Sequence, residues 1–282
     1  MTTPTNSLGA LRELGLSRRA QVHADYFAAA AATPEIPQGP IAGIDCSNWQ
    51  ATVNWGQVIG AGYQFGICKA SESIDYADTY FAANWAGMLA HNVARGAYHF
   101  CQPDKNAPQT EAAWFLRCVN AAGGLLPGDV LVGDFEAGTG NLHNWAVAWL
   151  DAVAQAVGFL PMFYSGRWFM DPHGLVGSDQ LAQHGLWLAE YDSTPPVEPP
   201  NWAFVAMWQF SCTGQVPGVQ GDCDENVFFG SVDQLRMYGL PSGSSGPAPP
   251  TLTNADIVKT ERYLLAEPPD VAGAIRYLQQ FS

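Results

Sequence analysis

Between residues 41 and 164, short apolar stretches rich in β-branched and aromatic residues alternate with longer segments of helical periodicity. The stretches near 41–46, 63–69, 95–101, 129–135 and 160–164 read as strands, and the segments near 54–60, 78–92, 107–121 and 142–157 read as helices. Consecutive strands can lie parallel only if a crossover returns the chain to the starting edge, and the helical segments supply it. An α/β domain with a parallel sheet follows. After about residue 170 the rhythm changes. Strands near 186–190, 205–210 and 224–228 are separated by Pro- and Gly-rich loops without convincing helices.

Polar groups gather where these strands end. Val130 to Gly133 runs into Asp134-Phe135-Glu136, which places two carboxyls on one face of a strand with Cα atoms roughly 6.6 Å apart. Acids that close perturb each other, so one tends to keep its proton near neutrality while the other stays ionised. Glycosidic-bond cleavage needs that division, an acid for the leaving oxygen and a negative partner for the cationic sugar. Asp45 ends the first strand, Tyr98-His99-Phe100 the third, Tyr164-Ser165-Gly166 the fifth, and Asp222, Asp224 and Glu225 lie around the last. Polar and aromatic residues at successive strand ends point to a barrel whose C-terminal face is the active site.

The ordered segments resemble the glycoside hydrolase family 25 lysozymes, which are N-acetylmuramidases. The matching pieces are G-I-D-x-S-x-x-Q from Gly43 to Gln50, I-x-K-A-S-E from Ile67 to Glu72, and Asn84-Trp85. They continue with G-A-Y-H-F from Gly96 to Phe100, the D-x-E, P-x-x-Y-S-G from Pro161, W-L-A-x-Y from Trp187, W-Q-F-S from Trp208 and V-P-G-V from Val216. The resemblance covers about residues 41 to 231. It implies an irregular TIM-like α/β barrel of (β/α)5(β)3 type and cleavage of the β-1,4 bond between N-acetylmuramic acid and N-acetylglucosamine with net retention. Glu136 takes the position of the general acid, and Asp134 that of a carboxylate that stays anionic. Asp134 either orients the substrate's 2-acetamido group as nucleophile or attacks covalently itself. Asp45 and Asp224 match the other two cleft acids, Asp224 being favoured over Asp222 and Glu225 by its spacing to Asn226-Val227-Phe228.

Tyr98 and Tyr164 are expected to line the cleft, with Tyr164 bonding the acetamido carbonyl. Trp187 and Trp208 are either stacking platforms or core, and Gln209 beside Trp208 is counted among the substrate-binding residues. Lys69 is either a substrate contact or, the stronger reading, the partner of Glu72 in an internal salt bridge. His99 is placed near the cleft in a neutral, hydrogen-bonding role, without metal spacing around it; no metal or other cofactor is expected. Ser165 lacks the G-x-S-x-G elbow of serine hydrolases. The sequence departs from the family pattern at Gly133, where bulky apolar residues are usual, at Ser73, which replaces a Gly, and at Glu225, an extra acid. A chitinase-like glycosidase and a catalytically silent glycan-binding or virion protein are the competing readings.

The net charge of −14 argues against a nucleic-acid partner. From residue 118 to 235 the only Lys or Arg is Arg167, against more than a dozen acids, a balance suited to a neutral glycan. No apolar run is long enough to span a membrane, and Met1 to Leu16 shows no signal-peptide pattern. That fits a phage-type enzyme made in a host cytoplasm and acting on the bacterial wall, or one secreted by another route. The expected organisation is a helical extension at 1–38, the hydrolase barrel at 39–240, a Pro/Gly/Ser linker at 241–253, and a short helical tail at 254–282 that contacts the wall, a virion or the barrel. Cys46, Cys68 and Cys101 are expected as buried thiols, Cys118 on a helix, and Cys212 and Cys223 either bridged or free.

Overall fold

The computed structural model describes residues 39–241 apart from Ser193; the extension, nearly all of the linker, and the tail lie outside the described residues. Its core is a closed barrel. The strands are β1 (Ile41–Cys46), β2 (Phe65–Glu72), β3 (Tyr76–Ala77), β4 (Ala94–Phe100), β5 (Val130–Asp134), β6 (Met162–Gly166), β7 (Leu186–Ala189), β8 (Met207–Gly214) and β9 (Cys223–Phe228). Neighbours follow the order β1-β9-β8-β7-β6-β5-β4-β2, and β1 pairs with β2 to close the ring. Seven barrel strands run parallel in this circuit, whereas β9 runs antiparallel to both β8 and β1. The short β3 adds a hairpin to β2, pairing Glu72 with Tyr76.

The helices are α1 (Trp55–Gly60), α2 (Phe81–Ala90), α3 (Pro108–Ala121), α4 (His143–Val157), α5 (Arg167–Met170) and α6 (Val232–Met237). Local chemistry sets their ends. Asn54 accepts from the Gln57 amide to start α1, and Pro108, with no amide hydrogen to leave unbonded, opens α3. Gly158 closes α4 at φ +85°, a conformation costly for a side chain. A Ser231–Gln234 capping box starts α6. The sequence reading anticipated the first four helices and every barrel strand but not β3, α5 or α6, which are too short to establish a period.

Alternation along each strand divides the apolar residues into two layers. Phe65, Ile67, Val130, Val132, Met162 and Trp187 belong to one cluster, filling the barrel. Ile44, Val58, Trp85, Phe115, Leu131, Phe135 and Trp149 belong to the other, between barrel and helices. Gly43 faces inward, and a Cβ there would strike the Phe65 ring. Near the N-terminal ends of the strands, Arg95 makes two 2.8 Å bonds to Asp129 and lies 3.9 Å over the Trp85 ring. This buried ion pair ties β4 to the loop before β5, well away from the strand tips. Among the described residues, no helix is long and apolar enough to cross a membrane.

Candidate active site

β5 stops at Asp134, and the extended chain carries on through Phe135 to Glu136. Phe135 is fully buried in the outer layer, stacked 4.9 Å from Phe163 and edge-on to Trp149 at 5.9 Å. With Phe135 pinned outward, the alternation turns Asp134 and Glu136 to the same, inner side. Gly133 is explained by the same packing. A Cβ there would lie 2.7 Å from both the Phe135 and Trp149 rings, so the bulk supplied elsewhere by an apolar side chain is here supplied by Trp149.

Because β9 is reversed, its first residues meet the last residues of β1, and Asp224 pairs directly with Asp45. Asp224 and Asn226 share one face, while Glu225 between them turns out and accepts from the Tyr63 hydroxyl at 2.6 Å. Glu225 therefore adds no charge to the inner face, and Asp222 is exposed, bonded to Gln215 at 2.7 Å. Asp45 is held by the side-chain amides of Gln209 and Asn226, each donating to Oδ2 at 2.8 Å. Gln209 in turn accepts from Tyr164 at 2.8 Å and Tyr191 at 2.9 Å, and Asn226 accepts from the Trp187 indole at 2.8 Å. Five side chains thus fix the orientation of one carboxyl. The Tyr164 hydroxyl, expected to reach a substrate carbonyl, donates here to Gln209. Sequence reasoning used Asn226 only as a spacing marker and missed Tyr191, since amide and phenol partners carry no spacing signature.

Burial raises every acid of the group. Glu136 is pushed up to about 7 by desolvation and then by the charge of Asp224, and Asp224 to about 6 by desolvation. Asp134 rises through burial and the charge of Glu136, only partly opposed by Lys69; Asp45 rises through burial and Asp224. The Asp134 Oδ1 atom is buried with no hydrogen-bond partner. The cluster therefore holds protons near neutrality instead of carrying four full negative charges. Burial and the neighbouring Glu136 thus shift Asp134 toward its neutral form in the free site, and the charge of Lys69 opposes that shift. Tyr98 also stands among these groups, its hydroxyl raised by burial and by Asp45 and Asp134.

Lys69 bonds Glu72 at 2.8 Å and lies 4.9 Å over the Phe100 ring, and Gln102 donates to the other Glu72 oxygen at 2.9 Å. The internal salt bridge is what forms. Trp187 and Trp208 are each 1% exposed. Trp187 packs inside the barrel 4.5 Å from Tyr164, and Trp208 sits in the outer layer, donating to the Glu190 carbonyl at 2.7 Å. Neither offers a free face to a sugar, so for both the core alternative replaces the stacking role.

His99 also departs from its expected place. Its neighbours Tyr98 and Phe100 face inward, so His99 faces the helices and is fully buried. Ser71 meets Nδ1 at 2.9 Å and Glu111 meets Nε2 at 3.0 Å, while burial lowers the ring's pKa and keeps it neutral. Cys101 lies close by, so that one donor atom from each of His99, Cys101 and Glu111 falls within 4.8 Å of the others. Both ring nitrogens and both Glu111 oxygens are already bonded, the latter to the Gln102 amide, Asn106 and His99. This closed network joins β2, β4 and α3. Ser73 belongs to its edge: it accepts from Asn106 at 3.0 Å and holds φ +54°, the left-handed geometry that a Gly adopts freely. Cys212 is exposed and Cys223 buried, facing different environments on adjacent strands, and both are free thiols.

Fold and site together define a class. A closed barrel that gathers raised carboxyls at one mouth, two of them adjacent on one strand tip, is the framework of a glycoside hydrolase. A model of the glycosyl hydrolases family 25 matches residues 44–219. Lysozyme M1 of Streptomyces globisporus is 30% identical over 211 residues, covering 69% of this chain and 70% of that protein. An N,O-diacetylmuramidase of Arthroderma benhamiae is 28% identical over 224 residues, covering 75% of this chain and 92% of that protein. The crystal structure of the bacterial lysozyme from Streptomyces coelicolor matches with a TM-score of 0.63 at 28% identity, covering 71% of this chain and 96% of that one. The chain belongs to glycosyl hydrolase family 25.

Proposed function

We propose that the chain hydrolyses the glycan strands of bacterial peptidoglycan, cutting the β-1,4 bond between N-acetylmuramic acid and N-acetylglucosamine with net retention. The observation that carries this reading is the pairing of Glu136, protonated up to about pH 7, with a buried Asp134 oxygen that has no partner. Glu136 donates its proton to the glycosidic oxygen as the bond to C1 breaks. The 2-acetamido carbonyl oxygen of the same sugar closes on C1, and its N–H is the donor that completes Asp134 Oδ1. Asp134 then stabilises the positive oxazolinium ring. Glu136, now a carboxylate, takes a proton from the water that opens the ring, and the second displacement restores the starting anomer. Asp45 and Asp224 stabilise the charge that develops at the sugar from the opposite side of the mouth.

The muramidase and lysozyme relatives support the choice of substrate, and the acidic surroundings suit a neutral glycan. The site of action on this reading is the bacterial wall, and the C-terminal tail, whose sequence carries Val271, Ile275 and Leu278, is a wall or virion contact. Purified peptidoglycan and its chemically de-N-acetylated form, each mixed with wild-type protein, provide the test. Solubilisation of the first and near-complete resistance of the second are expected. Equal cutting of both would remove the assisted route, and cutting of chitin oligomers in preference to peptidoglycan would remove the proposed substrate.

A further inference from the structure

Two tryptophans at the barrel mouth are exposed to a degree that a core role does not explain. Trp49 is 84% exposed and Trp168 is 68% exposed. Each follows, by four residues, a side chain of the acid network: Trp49 lies beyond Asp45 of β1, and Trp168 lies beyond Tyr164 of β6. In the closed ring β1-β9-β8-β7-β6-β5-β4-β2, strands β1 and β6 are four steps apart in either direction, so they stand opposite each other. The spacing and tilt of strands in an eight-stranded barrel put such opposite tips about 15 Å apart. That separation matches several linked sugars and exceeds a single one.

The remaining groups fall on the two flanks of this line. β5, β4 and β2 bring Glu136, Asp134, Tyr98 and Lys69 to one side, and β9, β8 and β7 bring Asp224, Gln209 and Tyr191 to the other. A chain lying from Trp168 to Trp49 therefore passes with the acid Glu136 on one flank and Asp224 on the other. Trp168 is held for this purpose. Its indole lies against Gly166, where any Cβ would strike it, and its ring meets Phe169 edge-on at 5.4 Å and 75°. The flanking Arg167 is fixed to Glu190 at 3.0 Å and to the Val197 carbonyl. A large flat apolar face kept rigid in water suits the axial C–H face of a pyranose.

We infer that Trp168 and Trp49 are the two outer platforms of the glycan-binding cleft, and that the polysaccharide crosses the barrel mouth along the β6–β1 diameter. This rests on the glycan-hydrolase reading above and adds the path of the strand and two binding residues to it. The length of bound glycan that the enzyme favours is then set by the span between the platforms.

The test uses the full chain carrying Glu136→Gln, so that ligands persist, with and without Trp168→Ala or Trp49→Ala. The ligands are peptide-free glycans of alternating N-acetylmuramic acid and N-acetylglucosamine, as disaccharide and octasaccharide, titrated by calorimetry. Loss of either ring should weaken octasaccharide binding roughly five- to tenfold, with a clearly smaller effect on the disaccharide. Trp168→Phe should recover part of the loss. Equal losses at both lengths, or none at the longer one, would overturn the platforms while leaving wild-type hydrolysis of peptidoglycan intact. Failure of the wild type to cut any peptidoglycan would overturn both readings together.

Discussion

Replacing Glu136 with Gln should separate what this carboxyl does for catalysis from what it costs the fold. Burial and the charge of Asp224 raise its pKa from 4.5 to about 7, so the folded chain holds this proton more tightly than the unfolded chain. A group raised in this way contributes its stability below the unfolded value of 4.5 and loses it as the pH climbs through about 7. The full displacement corresponds to about 3 kcal/mol under alkaline conditions, and the partial exposure of the side chain brings the expected figure to about 2 kcal/mol. Gln fills nearly the same volume with no charge to desolvate, and it also relieves Asp134 and Asp45, both of which Glu136 pushes upward. E136Q should match the wild type in melting temperature near pH 4 and exceed it by roughly 4–8 °C near pH 8. Turnover should fall by a factor of about 10²–10⁴. Circular-dichroism melts over that pH range, run beside a dye-release assay on purified walls, measure both. Parallel melting curves at every pH would show that Glu136 is not held protonated by its surroundings, and the acid assignment would lose its physical basis.

Wild-type turnover should also fall about tenfold per pH unit above about 7 as Glu136 ionises, and a flat profile to pH 9 or so would exclude it as the acid. Gly133→Ala drives a methyl into the Phe135 and Trp149 rings at 2.7 Å and should cost about 1–3 kcal/mol by urea denaturation; activity falls with it, because Phe135 is what turns Asp134 and Glu136 inward. Arg95→Ala strands the buried Asp129 carboxylate and should cost about 3–5 kcal/mol, with little change in turnover per folded molecule, since the pair lies away from the mouth. Ser73→Gly releases a left-handed backbone at φ +54° and should gain up to about 1 kcal/mol, since Asn106 keeps its 2.8 Å bond to Glu111 when the hydroxyl is gone.

The repeating βα units were legible because each strand is a continuous apolar run and each crossover helix is long enough to show its period. Closure of the barrel was legible only indirectly, through polar residues at strand tips. The reversal of β9 was not, since a six-residue strand reads the same in either direction, and yet that reversal is what sets Asp224 against Asp45. The D-x-E was visible as two carboxyls on one strand face, whereas Asp45 and Asp224 were singled out through the family resemblance, and the fold brings Asp224 against Asp45. The protonation of the acids was harder: Asp134 looked anionic in sequence, where burial is invisible, and its raised pKa follows from a desolvated oxygen without a partner. Trp187 and Trp208 stayed open between platform and core for a related reason. A Trp on an apolar strand satisfies both a core and a sugar platform, and only the exposure measured in the fold separates them from Trp49 and Trp168. His99 has the expected hydrogen-bonding role but not the expected place, because one step along β4 exchanges the inner face for the outer one.

On the proposed reading, the four-acid mouth cuts the glycan on the reducing side of N-acetylmuramic acid. Mass spectrometry of the fragments released from purified peptidoglycan, after borohydride reduction, tests it most directly. The account predicts muramitol at the newly formed reducing ends and none released by E136Q. Glucosaminitol at those ends, or an intact glycan backbone with cut peptides, would contradict it.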